Sequence, residues 1–271
     1  MPELTEVETV KNQLKKRLIS CKIIDVKVCY DDIIEYPSVD LFIKRSINQE
    51  VIDIKRRGKW LVFVLNDYYL LSHLRMEGKY NFHHKKDIIS KHEHVIFSLD
   101  NGLELRYHDT RKFGKMHLIE KDRINEIGPL IKLGLEPWDD NLDVNYLKEK
   151  YRKKRLSIKS VLLDQEIIVG IGNIYADEIL YLSGINPYKK AFMLSDRELN
   201  NIINNTKIIL EKSIKLGGTT IHSYASVDGI DGKFQNELMV HGIDKCFKCH
   251  NKITKEFING RGTYYCSKCQ K

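Results

Sequence analysis

A chain of 271 residues is too long for one small domain and comfortable for two. Hydrophobic residues make up 42%, enough to build cores and to argue against disorder, and the longest apolar runs, such as 61–65, fall far short of a membrane span. The net charge of +8 and pI near 9.0 point to a polyanionic partner, nucleic acid before anionic membrane.

The chain opens MPELTEVETV, with no apolar targeting segment ahead of it, so a cytoplasmic location is expected. Residues 5–19 place Val7, Val10, Leu14 and Leu18 at helical spacing, with Lys11, Lys15, Lys16 and Arg17 mostly off that stripe. Thr5 and Glu8 fit a capping box, so the predicted helix starts at Thr5, with Glu3 just ahead and Glu6 in its first turn. From 22 to 120 the pattern is one of strands. Ile24, Val26 and Val28 alternate with polar residues, and 51–55, 61–65, 69–74, 95–99, 103–107 and 116–119 follow. Arg57-Gly58, Asn66-Asp67 and Asn101-Gly102 supply tight turns. Short strands in this number predict an antiparallel sandwich or barrel. The stretch 128–141 carries two prolines, two glycines and then acids, and reads as a linker. Helices are predicted after it at 145–153, 158–163, 174–182 and 196–215. The last is marked by a Ser195/Glu198 capping box and stopped by Gly217-Gly218.

Four of the six cysteines lie in the last 26 residues, as Cys246-x2-Cys249, a 16-residue gap and Cys266-x2-Cys269. Two such chelating pairs predict one tetrahedral zinc in a two-hairpin ribbon. Four thiolates close the site, so the metal is structural. From Lys245 onward seven lysines and arginines face the single acid Glu256, a composition suited to phosphates. Cys21 and Cys29 have no partner motif and are expected to pack in apolar surroundings.

Four further stretches have ordinary readings when taken singly. Arg56-Arg57-Gly58-Lys59-Trp60 is a basic hairpin or a solvated turn. Ser72–Gly78 ends a strand with Met76 at a turn, and His108–Gly114 sets Phe113 among basic residues; core packing accounts for either apolar side chain alone. Gly170–Tyr175 opens a helix with free amides, which is either an anion site or a tight helix–helix turn.

Taken in order, MPEL-EVETV, RRGKW, SHLRMEG, KHEH, YHDTRKFG, GIGNIYADEIL, GGTT and the CxxC…GRGTYYCxxC tail resemble the bacterial formamidopyrimidine-DNA glycosylase family from residue 2 to 271. The resemblance implies an α+β multidomain chain. It would consist of an N-terminal antiparallel β-sandwich with an N-terminal helix (1–130), a linker (131–144), a helix–two-turns–helix domain with a lesion-capping loop at 219–227 (145–236) and a zinc finger (237–271). It implies a bifunctional DNA repair glycosylase and abasic-site lyase that removes 8-oxoguanine and formamidopyrimidines from double-stranded DNA. No membrane and no oligomeric partner are expected.

The opening can then be read chemically. Pro2 is small enough for Met1 to be removed, which frees a secondary amine that is also the α-amino group. Such groups titrate near about 7.7–8.0, so part is neutral at physiological pH. Attack on the sugar C1′ expels the base and leaves an imine, which acidifies the C2′ proton and opens β- and then δ-elimination. Glu3 is the expected general acid, and Glu6 polarises the sugar or moves protons. The resemblance further implies Lys59 as the proton donor of β-elimination and Arg261 as the finger arginine of δ-elimination. His92, Arg111, Lys154 and Asn173 would contact DNA. Met76, Arg111 and Phe113 would fill the gap left by a flipped base. The family's usual proline at position 5 is Thr5 in this chain.

Two other readings compete. An endonuclease VIII-type glycosylase shares the terminal proline, the acid and the finger but prefers oxidised pyrimidines. A non-catalytic zinc-ribbon DNA binder fits the charge and cysteines but gains nothing from glutamates facing phosphates.

Overall fold

The computed structural model describes residues 2–219 and 232–271. The chain divides into two units, Met1–Ile131 with Thr219–Gly232, and Lys132–Gly218 with Lys233–Lys271.

In the first unit, helix α1 (Leu4–Leu18) buries Val7, Val10, Leu14 and Leu18, the predicted stripe. Its cap differs from expectation. Glu3, not Thr5, is the N-cap, and the capping box is closed by Glu3 and Glu6. Glu8 is engaged elsewhere: Lys11 Nζ lies 2.5 Å and Arg56 Nε 2.9 Å from its carboxylate. Those cations hold the Glu8 carboxyl below its usual range, against burial that pushes it up.

The strands are β1 (Ile23–Val28), β2 (Ile34–Tyr36), β3 (Asp53–Arg57), β4 (Trp60–Val64), β5 (Tyr68–His73), β6 (Lys79–His84), β7 (Glu93–Leu99), β8 (Leu103–His108) and β9 (Lys115–Glu120). They form two sheets, β1-β7-β8-β6 and β2-β9-β5-β4-β3. All pairings are antiparallel except β2 with β9, which run parallel. One core joins the sheets: Val26, Phe97 and Leu105 from the first bury with Ile54, Phe63 and Leu118 from the second and with the α1 stripe. This is the sandwich, and the hydrophobic effect of that shared interior holds it together.

Sequence patterning missed helix α2 (Val39–Ser46), which seats a fully buried Phe42, and the short or polar strands β2 and β6. It also misassigned the start of β1. An irregularity between Ile23 and Asp25 turns Ile23 and Val26 inward and leaves Ile24 49% exposed. Cys21 is buried as expected, but Cys29 is exposed just past the end of β1.

In the second unit, α3 (Val144–Tyr151) is capped by the Asp143 side chain, and α4 (Ile158–Leu162) by that of Ser157. α5 (Asn173–Ser183) and α6 (Asp196–Lys215) follow. α6 has the predicted ends: the Ser195/Glu198 box, and Gly217 and Gly218 at φ 78° and 85°. The stretch read as a linker is hydrogen-bonded into this unit. Gly134 N donates to Gln165 O (2.9 Å), Leu135 N to Ile167 O (3.0 Å) and Trp138 Nε1 to Glu211 (2.9 Å). A hairpin, β10 (Thr254–Ile258) and β11 (Arg261–Tyr265), closes the chain. Among the described residues no helix is long and apolar enough to cross a membrane.

Candidate functional site

Pro2, Glu3 and Glu6 are all buried at the start of α1, an unusual place for two acids. Glu6 explains how they are held. Its Oε2 accepts from Glu3 N (2.8 Å), and its Oε1 accepts from Thr5 Oγ1 (2.8 Å), Thr219 N (2.8 Å) and Thr219 Oγ1 (3.1 Å). The amide immediately after the proline is therefore pinned by a carboxylate one helical turn away. The remainder of the 219–227 loop lies outside the described residues.

Lys59 sits at the two-residue turn between β3 and β4, beside Gly58 at φ 58°, a conformation costly for other residues. It is buried, and α1 packs on this hairpin, tied to it by Arg56–Glu8. On the adjacent strand His73 meets Trp60 edge-to-face, with ring centroids 4.8 Å apart. Burial first, then Arg75 and Lys59, bring the His73 imidazole down to about 3. It is neutral at physiological pH and accepts Arg75 N at Nδ1 (3.0 Å), so it adds no charge beside Lys59.

Met76, Arg111 and Phe113 sit on two loops of the same unit. Phe113 is 48% exposed, with the Arg111 guanidinium 4.8 Å from its ring centroid. Thr110 Oγ1 donates to Glu77, linking the loops. The organiser of this cluster, Asp109, was not assigned a role from sequence. It is fully buried, and its carboxylate accepts from Arg111 N (3.0 Å), Phe113 N (2.9 Å) and Gly114 N (2.9 Å). The signal was present: an Asp ahead of a turn bonds the backbone two residues on. Gly114 is required because a Cβ there would run into the Tyr107 hydroxyl. His92 accepts Asp109 N at its carbonyl (2.9 Å) and sets its ring 5.6 Å from that of His108.

In the second unit Asn173 is the first residue of α5, and its Nδ2 donates to Gly262 O (2.8 Å). That bond brings it beside Arg261, which begins β11 and is exposed. Gln165, also unassigned from sequence, shapes the glycine turn before α5: its Oε1 accepts Gly170 N (2.8 Å) and its Nε2 donates to Ile171 O (2.9 Å). Lys154 is half-exposed and paired with Asp164 at 2.8 Å.

α5 also anchors the ribbon. Glu178 accepts the amides of Met239, Val240 and His241, while Asp177 holds His241, Tyr264 N and the buried Lys159. Burial raises the Glu178 carboxyl despite those three amides. The sulfurs of Cys246, Cys249, Cys266 and Cys269 lie within 4.8 Å of one another, with Cys246–Cys269 at 3.8 Å and Cys249–Cys266 at 3.5 Å. Zinc–sulfur bonds of about 2.3 Å in a tetrahedron demand sulfurs about 3.8 Å apart, so the cluster could hold such an ion. The four thiols share their protons. Against burial, hydrogen bonds from Tyr181 and the Cys249 and Lys248 amides draw the Cys246 thiol down, whereas burial pushes Cys266 up and the neighbouring sulfurs push Cys269 up, so a bound metal would have to displace protons from part of the cluster.

Comparison with known proteins places these residues in a lineage. The formamidopyrimidine-DNA glycosylase N-terminal domain matches residues 1–116, and the formamidopyrimidine-DNA glycosylase H2TH domain matches 133–225. The chain is 45% identical to the formamidopyrimidine-DNA glycosylase of Shouchella clausii, over 100% of this chain and 99% of that one. It resembles a point mutant of the Lactococcus lactis Fpg solved in complex with a Fapy-dG containing DNA, with TM-score 0.93, 38% identity and 100% of both chains covered. It likewise resembles the Lactococcus lactis Fpg complexed with an abasic site containing DNA, with TM-score 0.93, 38% identity and 99% of both chains covered.

Proposed function

The chain belongs to the formamidopyrimidine-DNA glycosylase family, and from that premise we propose that it excises oxidised purines from double-stranded DNA through an imine on Pro2 and then cuts the strand by β,δ-elimination. The supporting observation is the buried opening, in which Glu6 holds the amide next to Pro2 and keeps Glu3 beside it.

The Pro2 nitrogen attacks C1′ of the damaged nucleotide. The C1′–base bond breaks, its electron pair leaves with the base, and Glu3 supplies the proton that completes departure. Loss of the nitrogen's own proton leaves a tertiary amine on C1′. Its lone pair forms the C1′=N bond as the C1′–O4′ bond breaks and the ring oxygen takes up a proton, giving a cationic imine on the opened sugar. Removal of the C2′ proton then expels the 3′ phosphate, and a second elimination expels the 5′ phosphate. Lys59 donates the proton of β-elimination. Arg261 assists δ-elimination by neutralising the phosphates.

His92, Lys154 and Asn173 contact the DNA backbone. For Lys154 this exchanges its pairing with Asp164 for a phosphate; for Asn173 it uses the α5 N-terminus, where the helix dipole favours anions. Flipping the base out costs a few kcal/mol, and Met76, Arg111 and Phe113 fill the vacancy. The first 130 residues thus supply nucleophile, acid and wedge. Segment 145–236 supplies phosphate contacts and the lesion-capping loop at 219–227, and 237–271 the finger. Cys246, Cys249, Cys266 and Cys269 would hold one structural zinc, which would stabilise the ribbon that carries Arg261. The enzyme works as a monomer in the cytoplasm, where these thiols stay reduced.

Borohydride should trap a covalent complex with an 8-oxoguanine duplex, and cleavage of that duplex should outpace cleavage of one carrying thymine glycol. A clear preference for thymine glycol would move the enzyme to the endonuclease VIII-type branch, a name none of the relatives above bears. Replacing Arg261 by alanine should weaken binding to an abasic-site duplex about tenfold, as expected for one charged hydrogen bond. It should also make the slope of log K against log salt shallower by about 0.9, the value of one phosphate contact. An unchanged slope in titrations at several salt concentrations would remove Arg261 from the phosphate ligands.

A further inference from the structure

The sequence departs from its family's usual pattern at position 5, and the structure gives that departure a job. We propose that Thr5 is a positioning residue, whose hydroxyl orients the Glu6 carboxylate and through it the Glu3 amide beside the reactive proline. The inference rests on Pro2 being the nucleophile.

Thr5 is fully buried and donates to Glu6 Oε1 at 2.8 Å. The same oxygen takes two hydrogen bonds from Thr219, while Oε2 takes Glu3 N. The donors differ in origin. Thr219 comes from 213 residues further along the chain, so its bonds depend on closing a long loop. Thr5 is the neighbouring residue on α1 and travels with Glu6. With Thr5 present, Oε1 keeps a donor that belongs to the helix itself, whatever position Thr219 occupies during a catalytic cycle.

A proline at position 5 has neither hydroxyl nor N–H and could not supply this bond. Proline would instead stiffen the first turn through its fixed φ. In this chain a hydrogen bond to a charged acceptor takes over the task of holding the turn. Holding Glu6 matters because its other oxygen sets the Glu3 amide, one peptide from the amine that must approach C1′. Small misplacements of a nucleophile cost rate more than affinity.

The test compares Thr5→Val, which keeps the shape and removes the hydroxyl, with Thr5→Ser, which keeps the hydroxyl. Single-turnover excision of 8-oxoguanine and steady-state kinetics are measured for both, alone and in a Glu6→Gln background. Thr5→Val should lower kcat about tenfold with KM unchanged. Thr5→Ser should stay within about twofold of wild type. In the Glu6→Gln background the valine penalty should shrink below about twofold, because the charged acceptor is gone. If Thr5→Val folds poorly, Thr5→Ala set against Thr5→Ser makes the same comparison. The inference is overturned by a wild-type rate in the valine variant, by a serine variant as slow as the valine one, or by a penalty that survives in Glu6→Gln. Failure of the wild-type protein itself to form a borohydride adduct would overturn the Pro2 reading instead.

Discussion

Glutamine at position 3 is expected to lower single-turnover excision of 8-oxoguanine by about 10²–10⁴, the usual contribution of a positioned proton donor. In barrier terms that is about 3–5 kcal/mol. The substitution is chosen for what it preserves. Glu3 is also the N-cap of α1, and its side chain accepts the Glu6 amide. A glutamine carbonyl can accept that bond too, so the capping box survives and the melting temperature should change little. Only the transferable proton is lost. A second readout separates acid from scaffold. On DNA that already contains an abasic site no base has to leave, so borohydride trapping on such DNA should stay within about tenfold of wild type. Loss of both reactions would mean that Glu3 serves the geometry of the turn. Wild-type excision by the glutamine variant would remove it from the chemistry altogether.

What the sequence disclosed and what it hid follow from the range over which each signal acts. The cysteine pairs and the Ser195/Glu198 box are written in local spacing, and the structure reproduces both. The Thr5/Glu8 box had the same local pattern and did not form, because its members found partners elsewhere. Arg56, 48 residues away, takes Glu8, and Thr5 turns to Glu6, which is also reached by Thr219. Local propensity was overridden by tertiary charge pairing. Asp109 and Gln165 escaped notice for a different reason. Each satisfies loop amides with its side chain, a role that any polar residue in a loop could be given on paper and that only the folded backbone assigns. Helix α2 is eight residues long and β2 three, too short for periodicity to register. The candidate site residues were found through the resemblance and ordered motifs. Their supports became visible only in three dimensions.

An acetyl group on the Pro2 nitrogen, or a retained Met1, is expected to abolish the borohydride adduct and to lower excision by roughly 10³–10⁶, the range spanned by loss of an enzyme nucleophile. The argument rests on what else could form the imine. A lysine titrates near about 10.4, more than two units above an α-amino group, so far less of it is neutral at physiological pH. Lys59, at the β3–β4 turn on which α1 packs, is the nearest rival by sequence role. The proline nitrogen also has a mechanical advantage, because the next peptide nitrogen is held by Glu6 at 2.8 Å, which limits the directions in which the chain end can point. Acylation removes the lone pair without touching Arg261, Lys154 or Asn173. Non-covalent binding to abasic DNA should therefore persist within about tenfold, measured by fluorescence anisotropy on the acetylated protein. Pro2→Gly keeps an amine at the same place, less constrained, and should trap more slowly without losing the adduct. A wild-type yield of adduct from fully acetylated protein, checked by intact mass, would place the nucleophile elsewhere and make the adduct-bearing peptide, with Lys59 first in line, the next one to sequence.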